Sequence, residues 1–245
     1  MSKSRKIILA LAVIGFLACV LSLVFYFWNT GRAQRAFDLL DSKRPVLNSA
    51  GFTAPERLEE IAEEEERPFN PDCIAWVTIP DTAVNYPVMQ REGSNQYYLR
   101  RDFYGEYSQS GTPFLDAASD LADPDSPLYI FGHNMKSGTM FADLLRYRSA
   151  DFCSEHPVIE LETAEELRRY EIFAVIETET GTDELGIYDF AEDPARDLAA
   201  FCASLQEKAL YDTGIQPEGQ LLLLITCTNS YDEAGRFFVA AHRVE

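Results

Sequence analysis

The chain has 245 residues and a formal net charge of −19, with 40 acidic against 21 basic side chains. That excess argues against nucleic acid or an anionic lipid surface as a partner of the main domain. Five cysteines (Cys19, Cys73, Cys153, Cys202, Cys227) are too few and too scattered for a disulfide framework, and none sits in the Cys-x-x-Cys pair of a zinc or redox site.

The first segment reads as an anchor. Lys3, Arg5 and Lys6 precede an unbroken apolar run over residues 7–28, long enough to cross a bilayer. The apolar region of a cleaved signal peptide is usually shorter, about 7 to 15 residues, and ends at a small-residue site. Phe16-Leu17-Ala18-Cys19 looks like a lipoprotein site, but the apolar run continues well beyond it. Tyr26 and Trp28 suit an aromatic belt, and the basic cluster puts the N-terminus in the cytoplasm, although Arg32 and Arg35 reduce the asymmetry. The expected division is a cytoplasmic stretch 1–6, a transmembrane helix 7–28, an extracytoplasmic helical segment 29–69 and a β-rich domain 70–245.

Within residues 29–69, Phe37, Leu39 and Leu40 are followed by a second helical pattern, Leu58 and Ile61 after Ala54-Pro55-Glu56. Pro55 suits a first turn and the nearby glutamates suit the helix dipole. The like-charge run Glu63–Glu66 reads as a solvated helix end rather than a cation site.

From Asp72 onward the pattern is short strands: 74–79, 84–89, 112–116, 128–131, 158–161 and 170–177, with turns marked by Pro80-Asp81 and Gly93-Ser94. Such spacing indicates a barrel or sandwich rather than a parallel α/β sheet. One helix interrupts the strands, with Asp193 as N-cap, Pro194 in the first turn, and Leu198, Phe201, Cys202, Leu205 and Leu210 as its apolar stripe.

The last strands form a hairpin. The run Leu221–Ile225 ends at Thr226-Cys227, a polar loop follows, and Arg236 opens a second apolar run. Cys227 and Arg236 should therefore be neighbours at one end of the sheet. A guanidinium there favours a thiolate and also suits a developing oxyanion. A lone cysteine beside a strand is more often a small buried hydrophobe, so a second stretch matters. In Leu128-Tyr129-Ile130-Phe131-Gly132-His133-Asn134, a buried strand ends at Gly132 and His133 sits on the turn, before a helix expected from about Thr139.

These stretches together resemble the sortases, and among them class B. The family pattern, Thr-Leu-x-Thr-Cys on one strand, Arg opening the next and a His upstream, is matched by Leu224, Thr226, Cys227, Arg236 and His133, with Leu223 in place of the first Thr. The resemblance covers roughly residues 70–245. It implies a mainly β fold with added helices: a closed sortase-like β-barrel, an N-terminal helical segment, a helix before the Cys strand and a single transmembrane helix. Of the other histidines, His156 lies in a surface turn, and His242 lies six residues beyond Arg236, roughly 20 Å along the strand at about 3.3 Å per residue.

The resemblance further implies transpeptidation. Cys227 forms a thioester with the carbonyl of a threonine in a sorting motif, His133 moves the protons, and Arg236 holds the oxyanion. Asn95 and Leu99, in Asn95-Gln96-Tyr97-Tyr98-Leu99, would line the substrate groove, with plain core packing the other reading of Leu99. Thr226 would contribute packing and backbone hydrogen bonds there. Some class B members carry an acid after the cysteine, where this chain has Thr228. Implied partners are surface proteins with a C-terminal sorting signal, a cell-wall precursor or pilin amine as acceptor, and the membrane of a Gram-positive type of cell through the N-terminal helix. No nucleic acid, metal or cofactor is expected. Two other readings stay open: a tethered cysteine peptidase that only hydrolyses, and a catalytically silent binding barrel.

Overall fold

The computed structural model describes residues 3–42, 70–179, 185–193, 197–228 and 235–244. Helix α1 (Lys3–Ser42) is continuous, and within it Ser4–Trp28, with a mean hydropathy of 3.0, is long and apolar enough to cross a membrane by length and composition. Farther along, Phe37 is buried against Tyr86, ring edge to ring face at 5.5 Å. The helix expected after Pro55 and the acidic run Glu63–Glu66 lie outside the described residues.

Eight strands close into a barrel: β1 (Cys73–Thr78), β2 (Asn85–Met89), β3 (Phe114–Leu115), β4 (Leu128–Phe131), β5 (Val158–Thr163), β6 (Leu167–Thr178), β7 (Leu221–Cys227) and β8 (Arg236–Arg243). Their order around the barrel is β1-β2-β3-β4-β7-β8-β6-β5. The expected closed barrel is therefore the fold. The apolar run of β7 follows from its place in the sheet, because both of its faces are covered. Leu222 and Leu224 point into the barrel with Val239 and Ala241. Leu221, Leu223 and Ile225 point outward with Phe238 and Ala240.

Among the described residues, three α-helices accompany the barrel: α2 (Ala150–Glu155), α3 (Ile187–Glu192) and α4 (Leu198–Glu207). The last two cover the outer face of β7, and Phe190 of α3 stacks on Phe201 of α4 at 4.1 Å. The structure corrects the helix read before the Cys strand. Its N-cap is Asp197, whose side chain accepts from the Ala200 N–H. Asp193 instead closes α3, a single-turn element too short to show a helical period. Leu210 lies past the end of α4 and is 45% exposed, so it is not part of the apolar stripe. The helix expected from Thr139 is a 3₁₀ segment, Phe141–Arg148, preceded by Met140 at φ 58° and ψ −130°, a backbone conformation that cannot be part of an α- or 3₁₀-helix.

Candidate active site

Pairing register puts the reactive side chains at one end of the barrel. In the antiparallel β7–β8 pair, Cys227 is opposite Arg236. The Arg236 Nη1 lies 3.6 Å from the Cys227 Sγ and also donates to the Gly235 carbonyl at 3.2 Å. Strands β4 and β7 run parallel, with Phe131 beside Ile225, and the Gly132 N–H continues the ladder to the Ile225 carbonyl at 3.0 Å. Two residues past Phe131 is His133, and two past Ile225 is Cys227. The histidine thus arrives at the mouth of the strand pair that ends in the thiol.

His133 is held by backbone. Its Nε2 is 2.8 Å from the Leu99 carbonyl. A carbonyl only accepts, so Nε2 carries the proton and Nδ1 is the basic nitrogen of the neutral ring. The carbonyl itself is fixed by a close approach. Gly111 sits at φ +59°, and a Cβ there would run into the Tyr98 and Leu99 carbonyl groups. Next to His133, the Asn134 amide donates to the Cys227 carbonyl at 3.1 Å, stitching the histidine turn to the cysteine strand.

These groups border one groove of about 940 Å³ whose lining includes Asn95, Leu99, His133, Thr226, Cys227 and Arg236. Asn95 is exposed on its wall, and Leu99 both lines it and packs on the core. Thr226 is 2% exposed, and its Oγ1 has no hydrogen-bond partner among the described residues. Leu23, Tyr26 and Phe27 of α1 are also among its lining residues. Three residues that the sequence reading did not single out also belong here: Asn134, Asp116 and Tyr188. Asn134 could have been flagged as the polar neighbour of His133. The other two owe their place to segments far apart in the chain.

The remaining candidates fall away from the groove. His156 is bonded to the Pro80 carbonyl at 3.1 Å, and His242 pairs with Leu221 at the opposite end of β7. Burial pushes the Cys73 thiol up to about 12 and that of Cys202 to about 11, and it raises that of Cys153 as well. All three are thereby poor nucleophiles near neutral pH. Among the described residues, no group of three or more His, Cys, Asp or Glu is placed to hold a metal ion.

A sortase-domain family model matches residues 77–244, most of the barrel. The chain belongs to the sortase family. Its curated relatives include a sortase B of Listeria monocytogenes, 33% identical over 69% of each chain, and one of Staphylococcus aureus, 26% identical over 88% of this chain and 83% of the relative. Among solved structures, sortase B of Listeria monocytogenes is 32% identical with a TM-score of 0.62, covering 72% of this chain and 96% of that one. A mutant form of Clostridium perfringens sortase B is 26% identical with a TM-score of 0.69, covering 86% and 98%. A Staphylococcus aureus sortase B–substrate complex, 24% identical with a TM-score of 0.69 over 94% and 99%, shares the fold. This sortase is accordingly a cysteine transpeptidase of class B type.

Proposed function

We propose that this sortase uses Cys227 to cleave a surface protein after a threonine of its C-terminal sorting motif and passes the acyl group to a cell-wall or pilin amine. With the proton of the Cys227 thiol on His133, the sulfur attacks the threonine carbonyl carbon, and the carbonyl oxygen takes the negative charge beside Arg236. Collapse breaks the C–N bond. His133, protonated, gives its proton to the departing amine, and a thioester remains. An incoming amine gives a proton back to His133, attacks the thioester and expels the sulfur as thiolate. The chain of atoms is balanced without a cofactor.

The observation that carries the reading is the meeting of the Cys227 sulfur and the Arg236 guanidinium at 3.6 Å on the groove that His133 also lines. We further propose that residues 7–28 hold the enzyme in the membrane with residues 29–245 outside, leaving 70–245 as the catalytic domain. The hydropathy of Ser4–Trp28 and the basic residues before it support this topology.

The test uses full-length protein in detergent and a quenched-fluorescence peptide library with a fixed threonine. Cleavage should yield an amide when oligoglycine, diaminopimelate or lysine is added, and Cys227→Ala should abolish both cleavage and the thioester adduct seen by mass spectrometry. Hydrolysis with no amide product for any amine would reject transfer. A Cys227→Ala variant that still cleaves would reject the nucleophile.

A further inference from the structure

The groove wall that carries Asn95 is built on one buried carboxylate. Asp116, just past β3, is 2% exposed. Its Oδ2 accepts from the Asn95 amide at 2.8 Å and from the Tyr188 hydroxyl at 3.2 Å, and its Oδ1 accepts from the Ala118 N–H at 2.8 Å. The backbone of Asp116 is held as well: its N–H donates to the Tyr129 carbonyl at 2.9 Å, and its carbonyl accepts from the Gln90 amide at 3.3 Å. Tyr129 in turn donates its hydroxyl to the Ile187 carbonyl at 2.7 Å. Both ends of this arrangement face the groove, because Asn95 and Tyr188 are among its lining residues.

The chemistry of the partners fixes which way round the Asn95 amide sits. The Ala117 N–H, 2.9 Å from the Asn95 Oδ1, can only donate, so an acceptor has to face it. The Asn95 oxygen must therefore face Ala117 and its nitrogen must face Asp116. A primary amide has two N–H donors and two carbonyl lone pairs. One of each is used internally, which leaves Asn95, exposed on the groove wall, one N–H and one lone pair whose order is set by Asp116 and Ala117. A peptide backbone in the groove offers the complementary C=O and N–H.

We propose that Asp116 is a positioning residue for substrate. It locks the Asn95 amide in one orientation and ties α3 to the same point through Tyr188, so that the wall reads the backbone of the sorting peptide. The proposal rests on the sortase reading above and adds a determinant of binding to it. Asp116 touches neither the thiol nor His133, so its influence falls on KM rather than on the chemical step.

The experiment compares wild type, Asp116→Ala, Tyr188→Phe and the swapped pair Asp116→Asn/Asn95→Asp, all full-length, on the best-cleaved member of the threonine library. Asp116→Ala removes the acceptor of the Asn95 N–H, so the amide is no longer held from that side. KM should rise roughly 3- to 10-fold, the scale of one hydrogen bond, with kcat close to wild type. The swapped pair restores the internal bond with donor and acceptor exchanged, but it removes the donor offered to substrate. Its melting temperature should therefore lie nearer wild type than that of Asp116→Ala while its KM stays raised. A swapped pair that recovers KM together with stability would overturn the proposal and leave Asp116 a packing residue. So would an unchanged KM in Asp116→Ala. Should Asp116→Ala alone not fold, the swap and Tyr188→Phe carry the test, and wild-type KM in both overturns it. Cleavage surviving in Cys227→Ala is a different failure, since it removes the underlying reading itself.

Discussion

Arg236 offers two distinct services, and its geometry allows them to be separated. Its Nη1 is within reach of the Cys227 sulfur at 3.6 Å, which suits electrostatic support of a thiolate. A planar guanidinium can also present two N–H groups to one carbonyl oxygen, which lysine, a mobile point charge, cannot do. On the proposed oxyanion role, Arg236→Lys should lose about 100- to 1000-fold in kcat/KM, or roughly 3 to 4 kcal/mol of transition-state stabilisation, without a matching fall in the melting temperature. On a purely electrostatic role, lysine should restore most of the rate. Measuring kcat/KM across pH for both proteins decides it, and near-normal turnover in the lysine variant rejects the oxyanion assignment.

At the scale of elements, the histidine turn is held from behind by β2. Met140 sits at φ 58° and ψ −130°, outside the regions a side chain favours, and such residues cost on the order of 1–3 kcal/mol each. Its buried N–H donates to the Tyr86 hydroxyl at 2.9 Å, and the next N–H, of Phe141, donates to the His133 carbonyl at 2.9 Å. Tyr86→Phe leaves the Met140 N–H without its acceptor, which costs roughly 1–3 kcal/mol. The expected outcome is a lower melting temperature with a fall in kcat and little change in KM. An unaltered kcat would mean that the turn keeps its shape without Tyr86. Much of this architecture was legible in the chain. Seven-residue β7 and its partner β8 are apolar enough to declare themselves, and a hairpin places its end residues together, so Cys227 beside Arg236 follows from pattern alone. Parallel pairing of β4 with β7 was not readable, because parallel neighbours are far apart in sequence. Nor was α3, whose six residues are too few for a period, or the Asp116 cluster, which joins three separate loops and helices. The N-cap shows the same limit: Asp193 suits a cap by residue type, yet it closes α3 and Asp197 opens α4, a division that only packing decides.

For the molecule as a whole, acid is the condition that finds the weak points of the closed barrel. Arg148 binds Glu177 of β6 through two bonds, at 2.8 and 2.6 Å, and holds its carboxyl below the usual range. Burial alone would raise Glu166, but Arg168 and Arg243 outweigh it and the net direction is also down. A carboxylate depressed in the folded state adds stability above its unfolded value, and that stability is lost as pH falls through the folded one. The melting temperature should therefore be flat at neutral pH and fall below about pH 4.5, near the ordinary glutamate value. Glu177→Gln should melt lower than wild type at pH 7 and show a shallower decline in acid. A decline as steep as wild type would place the acid sensitivity elsewhere. Helix α1, meanwhile, runs unbroken from Ser4–Trp28 to the Phe37 contact. At about 1.5 Å per residue, Trp28 and Phe37 are roughly 14 Å apart. On the proposed topology the barrel rides low over the bilayer on a short, stiff stalk. For a substrate held in the same membrane, enzyme and substrate then search a plane in place of a volume. Their encounter rate follows surface density and lateral diffusion, as the effective concentration of any tethered pair follows its tether. A free peptide of identical sequence, arriving from bulk water, is met far more seldom.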